Sequence, residues 1–352
     1  INKRIKLIMA YTTINKSSAY FNTKLYTGTG SSNAITGVGH TPSWTWIKNR
    51  ATTDMHSLFD VPRGATKRIS TTNTSAQATE AQDLKAFGSD GFTVGTSGAV
   101  NSSNVNYVSW NWKANGQGSS NTAGSINTTY TSADTTSKFS IVTYTGTGAN
   151  ATVGHGLGAV PKMIIVKRLD NGANWRIYHA SLGATKNLLF ATDTIQTTST
   201  MWNNTAPTSS VFYLGSYNEV NGSSAPHVAY CFGKVKGFSD FGSYTGNGNA
   251  NGPFIYTGFK PAWILIKRYN AAGSWRLVDN KRIGYNRNNY YLTPNTGGGD
   301  GTGSTLAIDM FSNGFKVIGT DIDLNTSGGQ YIYMAFAEAP LVGTNNIPAT
   351  AR

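Results

Sequence analysis

The stretch YTGTGANATVGHGLGAVPKMIIVKR, from Tyr144 to Arg168, joins a glycine-rich turn to a proline and to an apolar run that ends in two basic residues. The same order occurs twice more, as YTGTG followed by WTWIK and as YTGNG followed by WILIKR. The tyrosine and proline of the three copies are Tyr26 and Pro42, Tyr144 and Pro161, and Tyr244 and Pro261. Their separation is 16 positions in the first copy (42 minus 26) and 17 in the others (161 minus 144, 261 minus 244). This regularity indicates an internal repeat.

Matching signals continue downstream of each copy. A Val-Asn or Leu-Asn pair recurs as Val100-Asn101, Val220-Asn221 and Leu324-Asn325, and each copy closes on a strand of alternating apolar residues. Units of about 100 residues match the size of one sandwich domain rather than a short solenoid repeat. We therefore divide the chain into a basic N-terminal lead-in (1–20), module one (21–112), a Ser/Thr/Asn/Gly linker (113–137), module two (138–236), module three (237–340) and a C-terminal tail (341–352).

The local patterns within a module predict strands. Short β-branched and aromatic runs are separated by Gly and Asn turns, and a helical period extends over no more than about two turns. The run Met163–Val166 is apolar at every position, which is typical of a strand covered on both faces. The predicted fold class is all-β, with three homologous antiparallel β-sandwich (jelly-roll-like) modules in tandem.

The connections predict how the modules are arranged. Only Lys236 and Gly237 separate the last strand of module two from the first of module three, so we expect these modules to form a rigid pair. The linker composition predicts a flexible tether and a freer module one, although residues 126–130 have the alternative of docking as an edge strand. The polar tract 71–83 is a candidate for a short helix or a loose loop.

Composition limits the class of protein. The chain is 39% hydrophobic and 13% charged and has 40 glycines, which indicates turn-rich β structure with packed cores rather than disorder. Cys231 is the only cysteine, so no intramolecular disulfide forms; a buried thiol and synthesis in a reducing cytosol are favoured. No apolar run approaches 18 residues, so we expect no membrane insertion.

The sequence offers little catalytic chemistry. It contains no P-loop and no nucleophile elbow. His40 and His155 lie in glycine-rich loops without a second ligand at metal spacing. We therefore expect no enzymatic activity, no catalytic residues, no cofactor and no metal. One alternative stays open: Asp321-Ile322-Asp323-Leu324-Asn325 is similar to the start of a calcium loop, although Thr326 stands where that loop has glycine, and a polar hairpin loop is the competing interpretation.

Several polar and aromatic positions align between the modules. His179 aligns with Asp60 and Asp279, which predicts a polar contact at a strand end. Trp44 and Trp263 align with Met163, and such interchange indicates that these side chains fill volume in a core. If the protein has a sugar-stacking surface, we expect it on loop aromatics such as Tyr217, Tyr285, Tyr290 and Tyr291.

The net charge of +13 suggests an anionic partner. Basic residues concentrate at and near the repeated strand end, and the candidates for binding an anionic surface are Lys167, Arg168, Lys267, Arg268, Arg276 and Arg282. An acidic protein surface or lipopolysaccharide phosphates fit this charge. Nucleic acid is not expected as a partner, because no recognised binding motif accompanies the charge. A solvated basic rim without a partner is the alternative.

Three strings carry a resemblance to a known family: YTGTG…GHGLGAVPKMIIVK, GSDGFTVG…VNYVSWNWKANG and YIYMAFAEAP. They resemble a repeated β-domain of unassigned function found in virion structural proteins of tailed bacteriophages, especially marine short-tailed phages. The resemblance runs from Tyr11 to Pro340.

The resemblance implies a bacteriophage virion structural protein. The expected place is the particle exterior, in a tail or head appendage of the fibre or decoration type, after assembly in the host cytoplasm. Implied partners are other virion proteins, further copies of the chain in a homo-oligomer, and host lipopolysaccharide or glycan. The alternative function is a carbohydrate-active tail protein that binds or cleaves host surface polysaccharide. Lys3, Arg4 and Lys6 of the lead-in are the candidates for anchoring the chain to the virion, because a basic, adaptable segment can order against an acidic neighbour.

Overall fold

The structure, a computed structural model, describes residues 11–343 and 348–350. Its regular elements are almost all strands, so the all-β prediction is confirmed. A 3₁₀ helix at Ser17–Ala19 precedes the first strand. The elements of module one and the linker are then, in order, β1 (Phe21–Thr27), β2 (Asn33–Thr36), β3 (Trp44–Asn49), β4 (Ser57–Asp60), β5 (Lys67–Arg68), β6 (Ala78–Thr79), β7 (Leu84–Gly88), β8 (Gly91–Val94), α1 (Gly98–Asn101), β9 (Asn106–Trp112) and β10 (Tyr130–Asp134).

Modules two and three repeat most of this order of elements, although module two has no counterpart of β7 and the described residues of module three form no helix before their last strand. Module two contains β11 (Phe139–Thr145), β12 (Ala151–Gly154), β13 (Pro161–Arg168), β14 (Arg176–His179), β15 (Lys186–Leu189), β16 (Thr197–Thr198), β17 (Val211–Leu214), α2 (Asn218–Asn221) and β18 (Pro226–Gly233). Module three contains β19 (Ser239–Thr245), β20 (Asn251–Tyr256), β21 (Phe259–Arg268), β22 (Arg276–Asp279), β23 (Tyr290–Tyr291), β24 (Gly301–Thr302), β25 (Ala307–Phe311), β26 (Gly314–Ile318) and β27 (Gln330–Pro340).

One four-strand antiparallel arrangement occurs three times. Its orders are β1-β9-β3-β4, β11-β18-β13-β14 and β19-β27-β21-β22; the second belongs to a seven-stranded sheet that adds β10 at one edge and β15 and β16 at the other. The strand after the repeated proline is central in each case. Trp44 pairs with Trp112, Met163 with Phe232, and Trp263 with Phe336, so the aligned residues occupy the same register position.

Each of these sheets has a second, smaller sheet beside it. The smaller sheets have the orders β2-β8-β7, β12-β17 and β20-β26-β25. In module one Ile47 and Phe59 pack with Phe92 and Val94, and in module two Ile164 and Val166 pack with Phe212 and Leu214. Because side chains alternate along a strand, Ile164 and Val166 serve this layer while Met163 and Ile165 point to the opposite face.

The opposite faces of the three large sheets share one hydrophobic cluster. It includes Trp44, Trp46, Met163, Ile165, Trp263 and Leu265, and all six are at most 2% exposed. The aligned tryptophans are therefore core residues, as their interchange with Met, Ile and Leu predicted. The strand Met163–Val166 is buried along its whole length, which confirms the prediction of a strand covered on both faces.

Aromatic contacts join every pair of modules within this cluster. Ring centroids are 4.6 Å apart between Trp44 and Tyr230, 5.5 Å between Trp112 and Trp263, and 6.1 Å between Phe232 and Phe336. Such pairs add about 0.5–1.5 kcal/mol each beyond the area they bury. The expectation of a freer module one was therefore wrong: its tryptophans form part of the core of the other two modules.

Polar contacts between matching positions close the three modules into a ring. Asp60, His179 and Asp279 lie opposite the first core residue of their own central strands. Asp60 accepts a hydrogen bond from the Tyr230 hydroxyl at 2.6 Å, and Asp279 accepts one from the Trp110 indole at 3.2 Å. The His179 ring lies 3.3 Å from the Tyr333 carbonyl oxygen. The polar strand-end contact predicted for this position is present, and in each module it reaches a neighbouring module.

The linker and the polar tract of module one both pack against module two. Strand β10 pairs with β11, and Ile126 bridges to Val153 at the edge of β12, so the docked alternative for the linker is the observed one. The tract 71–83 forms neither a helix nor a loose loop. Its backbone bonds to module two, where Gln77 donates to the Leu169 carbonyl and Ala173 donates to that of Thr74, both at 2.9 Å.

Candidate functional site: the basic strand ends

The lysines that end the three central strands point into the protein. Lys48, Lys167 and Lys267 are each 0% exposed. The Lys267 ammonium donates to the carbonyl oxygens of Gly273 at 2.7 Å and Asp193 at 3.1 Å, and the Lys167 ammonium donates to three carbonyl oxygens. One carbonyl in each set belongs to the preceding module, Thr74 for Lys167 and Asp193 for Lys267. These lysines therefore hold a loop of one module against the strand end of the next.

Burial of these ammonium groups has an electrostatic cost. Desolvation lowers the pKa of Lys48, Lys167 and Lys267 to about 8, although nearby carboxylates such as Asp323 oppose the shift at Lys267. The carbonyl bonds supply the hydrogen-bond acceptors that water would otherwise provide. The strand ends are thus basic in sequence but present little of that charge to solvent.

We predict a pH-dependent contribution from Lys267 to stability. Its folded pKa of about 8 lies below the ordinary value of 10.5, so between these values the unfolded chain binds more protons and the free energy of unfolding rises with pH. In Lys267→Met this contribution is absent. The free-energy difference, wild type minus variant, should be flat below pH 8 and then rise by about 1 kcal/mol per pH unit. Urea unfolding at pH 7, 8, 9 and 10 measures it, and a flat difference throughout would contradict a depressed pKa.

The other candidates for an anionic surface are mostly engaged internally. The Arg282 side chain is 0% exposed and bonds to Asp279 at 2.7 Å and Asp300 at 2.9 Å. Burial disfavours its charge, but the two carboxylates outweigh burial and raise the pKa of Arg282. Arg276 pairs with Asp323 at 2.5 Å, and Arg168 pairs with Asp170 at 2.6 Å. Arg268 bonds to Asn270 and Thr326, and no carboxylate of the described residues lies within ion-pair distance of it.

At three of the six candidate positions for binding an anionic surface, the side chain is not available to such a partner. Lys167, Lys267 and Arg282 are buried, and their charges are satisfied inside the fold. The sequence shows only that a basic residue follows an apolar strand. It does not show the carbonyl and carboxylate groups that surround that side chain in the fold. For Arg168, Arg268 and Arg276, which are partly exposed, binding of an anionic surface remains a prediction. The anchoring candidates Lys3, Arg4 and Lys6 lie outside the described residues.

A buried asparagine organises the loop that opens each repeat. Asn101, Asn221 and Asn325 are each 0% exposed. Asn221 accepts from the Thr147 backbone N–H at 2.8 Å and donates to the carbonyls of Ala149 and Gly215 at 2.5 and 3.1 Å. Asn101 and Asn325 make the equivalent three bonds in their modules. The sequence shows these asparagines as part of the repeat but gives no sign of their partners; for Asn221, two of the three lie more than 70 residues away and the third is six residues away.

The residues of the YTGxG motif serve the same loop. The Tyr26, Tyr144 and Tyr244 hydroxyls donate to the carbonyl before the asparagine at 2.7, 2.6 and 2.8 Å. At Gly146 a Cβ atom would overlap the Gly222 carbonyl oxygen, and Gly148 has φ of +75°, a conformation that favours glycine. The repeated motif is therefore a structural clamp between the loop and the short helix that contains the asparagine.

We predict that Asn221→Ala destabilises the protein by about 3 kcal/mol, because the Thr147 backbone N–H, the Ala149 carbonyl and the buried Gly215 carbonyl all lose their bonds to the amide. Asn221→Asp keeps the acceptor and the shape but removes both donors, so it should also destabilise the fold at neutral pH. Asn171→Ala, at an exposed asparagine of the same module, is the matched control and should change the free energy of unfolding by less than about 0.5 kcal/mol. Urea denaturation decides between them; equal small effects would exclude the clamp.

The remaining sequence candidates have structural surroundings. Burial lowers the pKa of the His155 imidazole to about 4, and its ring contacts the Thr208 carbonyl at 3.1 Å. The Cys231 thiol is buried, and burial raises its pKa. Asp323, of the calcium-like string, faces Arg276, while the Asn325 amide donates to three oxygens, so these side chains do not converge on a common ion. Within residues 11–343 and 348–350, no group of three His, Cys, Asp or Glu side chains is placed to hold a metal.

The predicted sugar-stacking aromatics differ in exposure. Tyr285 is 64% exposed and Tyr217 is 39% exposed. Tyr290 and Tyr291 are half-buried, and the Tyr291 ring lies 4.5 Å from the Arg276 guanidinium. Tyr217 precedes α2 of module two, whereas the other three tyrosines belong to module three.

A polar cleft opens between the end of β13 and helix α2. Its volume is about 340 Å³, and it is lined by Arg168, Asn171, Gly172, Ala173, Asn174, Asn218 and Glu219. Sequence reasoning identified Arg168 but missed the asparagines, because they come from two segments that only the fold brings together.

The fold and these contacts define a class: an all-β protein whose repeated polar residues hold loops and sheets around one core. The chain belongs to the family described as Domain of unknown function (DUF7483), whose model matches residues 16–340. That match covers all three modules and the linker. No curated protein and no solved structure matches the chain. None of the helices formed by the described residues has the length and apolar content to cross a bilayer.

Proposed function

We propose that this chain is a bacteriophage virion structural protein, exposed on the particle as a tail or head appendage that serves assembly and attachment to the host. The observation that carries the proposal is the use of the repeated polar residues. The asparagine clamps hold the loops within each module, while Lys167, Lys267 and the Asp60, His179 and Asp279 contacts join one module to the next. A protein whose repeated chemistry is architectural is suited to binding by shape on an assembled particle.

The proposed architecture is three homologous antiparallel β-sandwich, jelly-roll-like modules in tandem. The matching strand orders, the matching register at Trp44, Met163 and Trp263, and the smaller sheet beside each large one support it. In this description the modules are not independent, because the second face of each large sheet belongs to the common core.

The proposed partners are other virion proteins and further copies of the chain, with host lipopolysaccharide or glycan as the surface to which the particle attaches. For virion contact we propose the N-terminal lead-in together with module one, which leaves module three directed outward. This orientation assigns anchoring to Lys3, Arg4 and Lys6.

Incorporation into particles tests the proposal. Phage that encode Lys3→Ser, Arg4→Ser and Lys6→Ser together should carry several-fold fewer copies per particle, because the basic segment loses its attraction to an acidic neighbour. The matched control removes the same charge at Lys186, Lys281 and Arg287, which lie outside module one and are at least partly exposed in the folded protein. Quantitative mass spectrometry of purified particles gives the copy number. Absence of the wild-type chain from particles would refute the virion role, and equal loss from both triple variants would refute the anchoring segment.

The alternative is a carbohydrate-active tail protein, and the polar cleft in module two is the feature that favours it. Cleavage by a glycosidase needs two carboxyl groups about 5–5.5 Å or about 6.5–9.5 Å apart, and Glu219 is the single carboxylate lining this cleft. We therefore propose that polysaccharide is not cut. Purified protein incubated with host lipopolysaccharide should release no reducing ends, whereas release that disappears in Glu219→Gln would establish the alternative.

A further inference from the structure

We propose that the polar cleft of module two binds a neutral saccharide. The cleft volume of about 340 Å³ lies at the lower end of the range for small-molecule sites, about 300–1,000 Å³, which leaves room for roughly one or two sugar rings. This inference goes beyond the virion role, since it concerns what the purified chain binds in solution.

Unpaired amide groups are the first observation for a ligand. The side chains of Asn171, Asn174 and Asn218 have no hydrogen-bond partner among the described residues, and the first and third of them are exposed. The Asn174 Oδ1 atom is buried and has no partner, which is costly unless a bound group donates to it. Each amide offers two donors and an acceptor. A sugar hydroxyl both donates and accepts, so a lining of free amides matches a polyhydroxylated ligand.

The charge of the cleft is balanced, which favours a neutral ligand over an anion. The Arg168 guanidinium makes two bonds to Asp170, at 2.6 and 3.0 Å. Glu219 accepts from Arg176 at 2.8 Å, and burial, which would raise its pKa, is outweighed by this bond, so the pKa of Glu219 is lowered. Each positive group thus has a negative partner. A phosphate would have to compete with both carboxylates, whereas a hydroxyl can bond to the paired groups without displacing them.

Tyr217, which immediately precedes Asn218 in the chain, is 39% exposed. The cleft itself combines amide groups with balanced charges.

Module three provides an internal comparison. The positions that match Asn171, Asn174 and Asn218 hold Ala271, Ser274 and Ile322. The Ser274 backbone N–H bonds to the Asp323 carboxylate at 2.8 Å, and the Ile322 side chain is 62% exposed. The Arg–acid pair is kept, as Arg276 with Asp323. The amide groups are thus specific to module two, and a fold requirement shared by both modules does not explain them.

Binding to soluble trisaccharides tests the inference. The probes are maltotriose, cellotriose, mannotriose and chitotriose, and the measurements are saturation-transfer NMR and calorimetric titration of the full chain. We expect at least one trisaccharide to bind the wild type, and the double variant Asn174→Ala/Asn218→Ile to weaken that binding about tenfold or more. The matched control, Ser274→Ala/Ile322→Ala in module three, should bind as the wild type does.

A second variant separates loss of binding from loss of fold. Asn218→Ala removes one amide at an exposed lining residue and should weaken binding while the melting temperature stays unchanged. Three results would overturn the inference: no trisaccharide bound at about 10 mM, binding that survives the double variant, or inorganic phosphate bound more tightly than every trisaccharide. These binding outcomes do not depend on whether the chain is found in virus particles, so the two proposals fail independently.

Discussion

Asp279→Ala is expected to destabilise the whole chain by about 3–5 kcal/mol, the usual cost of removing one partner from a buried ion pair. The Asp279 carboxylate accepts from Arg282 Nε at 2.7 Å and from the Trp110 indole at 3.2 Å. It also accepts from the backbone N–H groups of Lys281 and Arg282, both at 3.0 Å. Removing it leaves a buried guanidinium with one carboxylate fewer and leaves a module-one indole unpaired, so the damage reaches two modules.

Urea unfolding followed by tryptophan fluorescence and by circular dichroism measures this effect. Both probes should shift together to lower urea, since modules one and three share the lost contact. The control is Glu80→Ala, which removes the 3.0 Å ion pair of Glu80 with Arg68, where the glutamate side chain is 42% exposed. That change should cost less than about 1 kcal/mol. A separate early transition confined to module three would show that the contact with Trp110 does not couple the modules.

Removal of module one is expected to abolish cooperative folding of the rest. A chain of residues 113–352 loses Trp44, Trp46, Trp110 and Trp112 from the shared cluster. Tyr230, Phe232, Trp263 and Phe336 would then face water, and large apolar patches of this kind lead to association or loose packing. Asp279 would also lose its indole donor.

Calorimetry and dye binding distinguish the outcomes for this truncated chain. The full chain should melt in one transition whose calorimetric and van't Hoff enthalpies agree. The chain 113–352 should show weak or no transition and should bind a hydrophobic dye. A chain that ends at residue 340 is the matched control, because it keeps every aromatic residue named above and should melt like the full chain. A sharp transition in 113–352 would mean that modules two and three fold as a pair without module one.

Much of the secondary structure could be predicted from local patterns. The apolar run Met163–Val166, the aligned tryptophans and the glycine turns are local signals, and the strands follow them. A run that is apolar on both faces indicates two covering layers but does not say what covers them. Here the second layer is formed by the other modules, and for that reason the common core and the fixed position of module one were not predicted.

The candidate site was harder to predict, for a physical reason. The direction of a lysine at a strand end depends on whether acceptors are available inside the protein, and at Lys267 one of them is the Asp193 carbonyl, 74 residues earlier. The same applies to Asn221, since two of its three partners, Thr147 and Ala149, lie in a distant loop. A charge count therefore identified the residues but assigned buried groups to the surface. The cleft asparagines were missed because Asn174 and Asn218 come from segments more than 40 positions apart.

The shared core has a consequence for the sizes of the side chains that the three modules carry at matching positions. Three identical chains assembled as a trimer would place the same side chain three times around the core. The fused chain instead has Trp46, Ile165 and Leu265 at one matching position, opposite Trp110, Tyr230 and Met334. A chain of three copies of module one would crowd the core with tryptophans and overpack it, whereas three copies of module two would leave voids. Each module is therefore fitted to the volumes of its two neighbours, and substitutions at these positions are expected to be compensated in a different repeat rather than within the same one.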